Sequence, residues 1–226
     1  IQHWPQPPDH RQLRGFLGLA NRVRKFMIGY SFNAAPLEKL TGKLWSKKNN
    51  AILWTPECEV AFRVLKADLC HAPCMVLRDY NKPFKLFCDA SNTGIGGVLL
   101  QDERPIAFIS KRFNKAQKNY HTTDTELLAA VHCLKEWRVY MTSVAKDGDT
   151  NLLITDHKPN ATVMSSKQLS PRQIRWMELF QEYPLTWMYE SGVSNIADPL
   201  SRLPEVVSII FVLKCWSRTK GIHLIS

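Results

Sequence analysis

The chain has 226 residues, 45% of them apolar, and a formal net charge of +10. That is enough for one large domain or two small ones around a packed core, and it excludes a disordered chain. The apolar runs are short and interrupted, which argues against a bilayer-spanning helix.

The opening IQHWPQPPDHRQ has no apolar signal-peptide core, and its first residue is Ile. We therefore expect a fragment or processed piece that is not secreted. The cysteines are Cys58, Cys70, Cys74, Cys88, Cys133 and Cys215, with no C-x-x-C pair. Cys70, His71 and Cys74 lack the second ligand cluster that would complete a zinc site, so we read free thiols in a reducing compartment, cytoplasmic or nuclear. The charge is uneven: residues 1–80 carry 12 Lys/Arg against 6 Asp/Glu. A polyanion such as nucleic acid and a plain solvated basic surface are both open readings of that excess.

In chain order, residues 9–29 read as a helix. Leu13, Phe16, Leu17, Ala20 and Val23 share one face, and Arg11, Arg14, Arg22 and Lys25 lie on the other. A short helix follows in NAAPLEKLTGK, stopped by Gly42. A third begins at Thr55-Pro56-Glu57, with a capping residue, a proline in the first turn and an acid beside it. Residues 1–75 thus form a small all-helical unit.

The character changes near residue 76. VLRDYNKPFKLFCDAS reads as a strand, a turn at Asn81-Lys82-Pro83 and a second strand. GIGGVLLQ and RPIAFISKR are further strands, joined at Asp102-Glu103. A long helix follows in HTTDTELLAAVHCLKEWRVYM. NLLITDHK is apolar on both faces, as a central strand is. SPRQIRWMELFQEY is a capped helix, LTWMYE a strand and NIADPLSRL a short last helix. We expect an α/β domain over 76–204: a mixed five-stranded sheet with flanking helices, its first strands an antiparallel meander and the later ones parallel after a crossover. For the tail, 205–226, packing as a strand and a non-native extension are both open.

Asp89 ends the first strand of the meander, and Asp156 ends the strand that the crossover places beside it. Both then reach the carboxyl edge of neighbouring strands, where open α/β sheets bind ligands. Glu126 opens the crossover helix and Asp198 the last one. Four convergent carboxylates must take up protons or bind cations, and hard oxygen donors favour Mg²⁺ or Mn²⁺. Two such ions about 4 Å apart suit in-line attack of water on a phosphodiester. Each acid also has a plainer reading. Asp89 suits an Asx turn, Glu126 a capping box with Thr123, Asp156 a strand end before Pro159, and Asp198 a helix cap. A pyrophosphate loop is excluded, because G-x-G-x-x-G needs glycine at position 99, where Leu99 stands.

CDASNTGIGGVLLQ, RPIAFISKRF, YHTTDTELLAAV, LLITDHKP and NIADPLSRL, in that order, resemble the ribonuclease H domain of gypsy-type LTR retrotransposon Pol polyproteins. LRGFLGLANRVRKFMIGYSFNAAPLEKLTGK and the following W-T-P-E-C-x-x-A-F-x-x-L-K are similar to the reverse transcriptase thumb that precedes it. The resemblance covers residues 1–204. It implies a ribonuclease H-like fold and an endonuclease that hydrolyses the RNA strand of RNA–DNA hybrids. It also implies that Asp89, Glu126, Asp156 and Asp198 hold two divalent ions. His157 belongs to the same motif, with proton transfer, product release or a plain surface position open to it. Ser91 and Asn92 become candidates for 2′-hydroxyl contacts, the glycines for close approach to a phosphate, and Arg11, Arg14, Arg22 and Lys25 for backbone contacts. The partners implied are the hybrid, the rest of the polyprotein and a second copy.

Three departures stand out. The chain has no Asp-Asp dipeptide, so no DNA synthesis is expected from it alone. The loop before Asp198 is one residue short with Pro199 behind it, and Asn160 replaces an apolar residue. These leave a second reading: a decayed or repurposed fragment that binds nucleic acid or a partner subunit without cleaving.

Overall fold

The computed structural model describes residues 1, 3–41, 52–71, 78–143, 148–156, 169–191 and 195–201. The predicted tail, His157, Gly42, Cys74, Asn160 and Cys215 lie outside them.

The first helix, α1, spans His10–Arg22 and is capped by Asp9, whose carboxylate accepts from Gln12 N at 2.8 Å. It is shorter than the 9–29 expected. A 3₁₀ turn, Arg24–Phe26, follows, and Gly29 at φ +63° redirects the chain into α2 (Tyr30–Asn33) and α3 (Ala35–Leu40). Lys25 therefore sits on the turn and not on the helix. The next helix, α4, spans Pro56–His71, and Thr55 Oγ1 caps it by accepting from Cys58 N at 3.3 Å. Leu13, Phe16, Ala20, Leu37, Phe62 and Leu65 close one apolar core, with the rings of Phe16 and Phe62 4.7 Å apart.

The sheet contains β1 (Lys85–Ala90), β2 (Gly94–Gln101), β3 (Arg104–Arg112), β4 (Asn151–Thr155) and β5 (Leu185–Tyr189), in the order β3-β2-β1-β4-β5. β1, β2 and β3 form the antiparallel meander; β4 runs parallel to β1, and β5 parallel to β4. The crossover between the meander and β4 is α5 (Thr122–Glu136), which breaks at Trp137 before a short α6 (Arg138–Met141). Leu127, Leu134 and Cys133 of α5 pack with Leu86, Leu99 and Leu153 in a second core. The helix α7 (Pro171–Gln181) begins with a full capping box between Ser170 and Gln173. The last helix, α8 (Asp198–Ser201), covers the other sheet face with Phe87, Val98 and Ile154.

The strand expected before residue 81 is absent among the described residues. Arg78 and Asp79 are irregular, and Tyr80 begins a turn. The buried Gln101 holds this loop instead: its Oε1 accepts from Asp79 N at 2.8 Å, and its Nε2 donates to Asp79 O at 2.7 Å. A side chain thus satisfies backbone groups that a sheet ladder would otherwise have taken. Asn151 plays a similar part deeper in the fold. Its Oδ1 accepts from Phe84 N at 2.8 Å, and its Nδ2 donates to Met141 O and Ser143 O at 3.0 and 2.8 Å.

Candidate metal centre

Parallel pairing sets Phe87 opposite Ile154. Asp89, two residues on, and Asp156, one residue past β4, therefore leave the sheet at the same end of neighbouring strands. α5 packs along β1, and its second turn brings Glu126 to that end. One carboxylate oxygen from each of Asp89, Glu126 and Asp156 lies within 4.8 Å of the other two. Asp89 and Glu126 are buried, and Asp156 is half-buried.

Three acids at this separation repel one another, and burial makes it worse. Desolvation, then the charges of Asp89 and Asp156, push the Glu126 carboxyl up to about 9, with Asp198 adding a smaller push. A hydrogen bond from the Ala90 backbone works against that rise. Glu126 Oε2 is buried and has no hydrogen-bond partner among the described residues. The capping-box reading of Glu126 does not hold. The helix is capped at His121 without a side-chain bond, so Thr123 already lies inside it.

Asp198 is not one of the trio within 4.8 Å. It stands in the first turn of α8, near enough to act on Glu126 through its charge. A residue that sequence reasoning leaves without a role ties the two regions together. Ser201 Oγ lies 2.5 Å from Asp89 Oδ2 and 2.9 Å from Asp198 O. A hydroxyl has one proton, and the nearer, charged acceptor takes it. Asn195 braces the same segment, donating to Cys88 O at 3.1 Å and accepting from Ala197 N at 3.0 Å.

The glycines differ from the expectation. They lie within β2 and not in a turn open to a phosphate. A Cβ on Gly96 would stand 2.5 Å from Ser201 N and 2.6 Å from Ala197 O. Gly96 is bare so that the backbone of α8 can rest on the strand. Gly97 is likewise covered by the Cys133 thiol and Ile109.

Of the residues expected at nucleic acid, Arg11, Arg14 and Arg22 are exposed on α1, and Arg14 donates to Thr41 O at 3.2 Å. Lys25 lies 5.0 Å from the centre of the Phe26 ring. Asn92 is exposed at the tip of the β1–β2 turn. Ser91 is half-buried. Its hydroxyl accepts from Thr93 N at 3.1 Å and donates to Ser201 O, so it braces the turn against α8.

The donors suit a hard divalent cation. Among the described residues all three are carboxylates, no imidazole or thiolate joins them, and one buried oxygen has no other partner.

Residues 54–146 match the family described as an RNase H-like domain found in reverse transcriptase. The retrovirus-related Pol polyprotein from transposon opus of Drosophila melanogaster is 34% identical over 215 residues, which are 90% of this chain and 21% of that polyprotein. The transposon Tf2-3 polyprotein of Schizosaccharomyces pombe is 33% identical over 213 residues, 91% of this chain and 15% of that one. The chain thus spans about a fifth or less of the curated relatives it matches. Among solved structures, the foamy viral protease-reverse transcriptase in complex with RNA/DNA hybrid aligns at a TM-score of 0.70 and 22% identity, over 92% of this chain and 28% of that chain. Its dRH form in complex with double-stranded DNA aligns at 0.69 and 21%, over 91% and 34%. These structures show the fold: five mixed strands with flanking helices, preceded by helices. Residues 54–146 are thus an RNase H-like domain of the kind found in reverse transcriptase, and the relatives that match over nine-tenths of the chain are retrotransposon Pol polyproteins.

Proposed function

We propose that the chain is an RNA–DNA hybrid endonuclease of the ribonuclease H type. Asp89, Glu126 and Asp156, with Asp198 as fourth ligand, hold two Mg²⁺ or Mn²⁺ ions in this reading. The observation that carries it is the trio of carboxylates within 4.8 Å, one with a buried oxygen that lacks a partner among the described residues. Bound there, the ions supply an activated water and neutralise charge on the scissile phosphate. The chain's own part is to hold the acids. The two strand ends fix the aspartates, α5 brings in Glu126, and Ser201 orients Asp89. Arg11, Arg14 and Arg22 track phosphates along the helical unit of residues 1–75, and Lys25 extends that track. Asn92 is the residue of the β1–β2 turn left to meet a 2′-hydroxyl. Residues 76–204 carry the chemistry, within a larger polyprotein. His157 is reserved for proton transfer or product release.

The test is substrate discrimination. A labelled RNA–DNA hybrid incubated with Mg²⁺ is expected to yield RNA fragments ending in 5′-phosphate and 3′-hydroxyl, with EDTA stopping the reaction. The DNA strand and a DNA duplex are expected to stay intact. Cleavage of the DNA duplex at the same rate, or of the hybrid in EDTA, contradicts the proposal.

The position of Asp198 outside the trio favours one second reading, a chain that binds the hybrid without cutting it. That reading predicts salt-sensitive retention of the hybrid and no fragments.

A further inference from the structure

Between the N-terminal helices and the sheet lies a half-open cavity of about 370 Å³. β3 forms one side, the end of α5 another, and the 3₁₀ turn with α2 the third. None of Asp89, Glu126, Asp156 and Asp198 lines it, so a ligand bound there leaves the carboxylates untouched; Lys25 is the residue it shares with the proposed phosphate track.

Two carboxylates face the cavity, and both are engaged. Glu136 pairs with Arg24 at 3.0 Å, and Glu38 with Arg112 at 2.7 Å. The groups left over are mainly donors. Lys111, from β3, and Lys25, from the 3₁₀ turn, both line the cavity, and the Lys111 ammonium has no hydrogen-bond or ion-pair partner among the described residues. Ser31 also lines it, and its Oγ is buried without a partner among the described residues. Its N–H, by contrast, donates to Ser110 Oγ at 3.0 Å. A buried hydroxyl with no acceptor beside a lysine with no anion is a combination that folded proteins rarely leave unmet. Tyr30, Phe108 and Trp137 add aromatic surface to the same walls. The volume falls at the lower end of the range for small-ligand sites.

We propose that this cavity binds a phosphate monoester the size of a nucleoside monophosphate. The phosphate meets Lys111, Lys25 and the Ser31 hydroxyl, and the aromatic walls take the base. Such a ligand would touch both the helical unit and the sheet, so it would also fasten one to the other. His132 reports on it. Burial, then Lys111, hold its imidazole down at about 4, with Arg24 and Lys135 acting the same way and Glu136 against them. An anion placed beside Lys111 offsets that repulsion, and the imidazole then takes up a proton at higher pH.

The experiment follows the His132 imidazole by NMR in the full chain, at constant ionic strength set with NaCl, with His132→Asn assigning the signal. Inorganic phosphate, AMP, adenosine and a 5′-phosphorylated trinucleotide are added in turn. Phosphate and AMP are expected to raise the His132 pKa saturably, by about one unit. AMP is expected to saturate first, and adenosine to do nothing. Lys111→Ala, at an exposed position that leaves the fold intact, is expected to weaken AMP binding by about tenfold. Earlier saturation by AMP than by the trinucleotide marks a free nucleotide as the ligand, and the reverse order marks a strand end. A His132 signal unmoved by all the phosphates, or an identical response in Lys111→Ala, overturns the proposal.

Discussion

Ser201 Oγ and Asp89 Oδ2 lie 2.5 Å apart although 112 residues separate them in the chain. Ser201 is wholly buried, and its hydroxyl donates a hydrogen bond to the carboxylate. It therefore fixes which oxygen of Asp89 remains for a cation. Partners of this kind orient metal ligands, and losing one typically costs about 10–100-fold in metal affinity or activity. Ser201→Ala is expected to lower hybrid cleavage by about tenfold at limiting Mg²⁺, with partial recovery at high Mg²⁺. Unchanged cleavage across the Mg²⁺ titration would remove Ser201 from the site.

Gly96 makes a second prediction. A methyl there would sit 2.5 Å from the backbone of Ser201. Backbone cannot move aside as a flexible side chain can, so α8 must shift. Gly96→Ala is expected to destabilise the fold by about 1–3 kcal/mol and to lower cleavage as well. Chemical denaturation and a cleavage assay on the same preparation check both. A variant with full stability would mean that α8 does not bear on β2.

The pH dependence of Glu126 has a definite sign. Its carboxyl is raised to about 9 from an ordinary value of 4.5. Between those values the folded state holds a proton that the unfolded state has lost. Stability from this group therefore falls as pH rises through the window, by up to about 1.4 kcal/mol per pH unit, and levels off above it. A divalent ion replaces that proton, so apparent Mg²⁺ affinity is expected to rise with pH over the same range. Thermal melts of wild type and Glu126→Gln, with and without Mg²⁺, measure the difference. Parallel curves for the two proteins without metal would contradict a buried, repelled carboxyl.

Asn151 holds three backbone groups in the core: Phe84 N, Met141 O and Ser143 O. Asn151→Ala leaves them without partners and is expected to cost about 2–4 kcal/mol. The lost stability is read from urea unfolding. A cost below about 0.5 kcal/mol, that of an ordinary surface change, would show that the three contacts do not hold β4 in place.

Much of this fold can be read from the chain. β4 is apolar on both faces and lies between two strands, and the capping chemistry at Thr55 and Ser170 marks two helix starts. Asp89 and Asp156 stand out because an acid at the end of an apolar run is locally odd. Ser201 does not, since its partner lies 112 residues away and no periodicity connects the two. Gly96 resembles a turn glycine, because a bare backbone looks the same in sequence whether a phosphate or another helix covers it. The helix break after Arg22 and the loop at Arg78–Asp79 escape a sequence reading for a shared reason. Apolar spacing continues across both, but a 3₁₀ turn and the left-handed Gly29 follow the first, and the Gln101 side chain holds the second.

In the proposed function the strand-end aspartates and Glu126 form one cation site that cleaves RNA in a hybrid. Single-turnover cleavage of a labelled RNA–DNA hybrid in Mg²⁺, comparing wild type with Asp89→Asn and Asp156→Asn, tests it most directly. RNA fragments are expected from wild type, with a loss of at least about a thousandfold in each variant, both still folded by circular dichroism. Equal cutting by wild type and variants would contradict it.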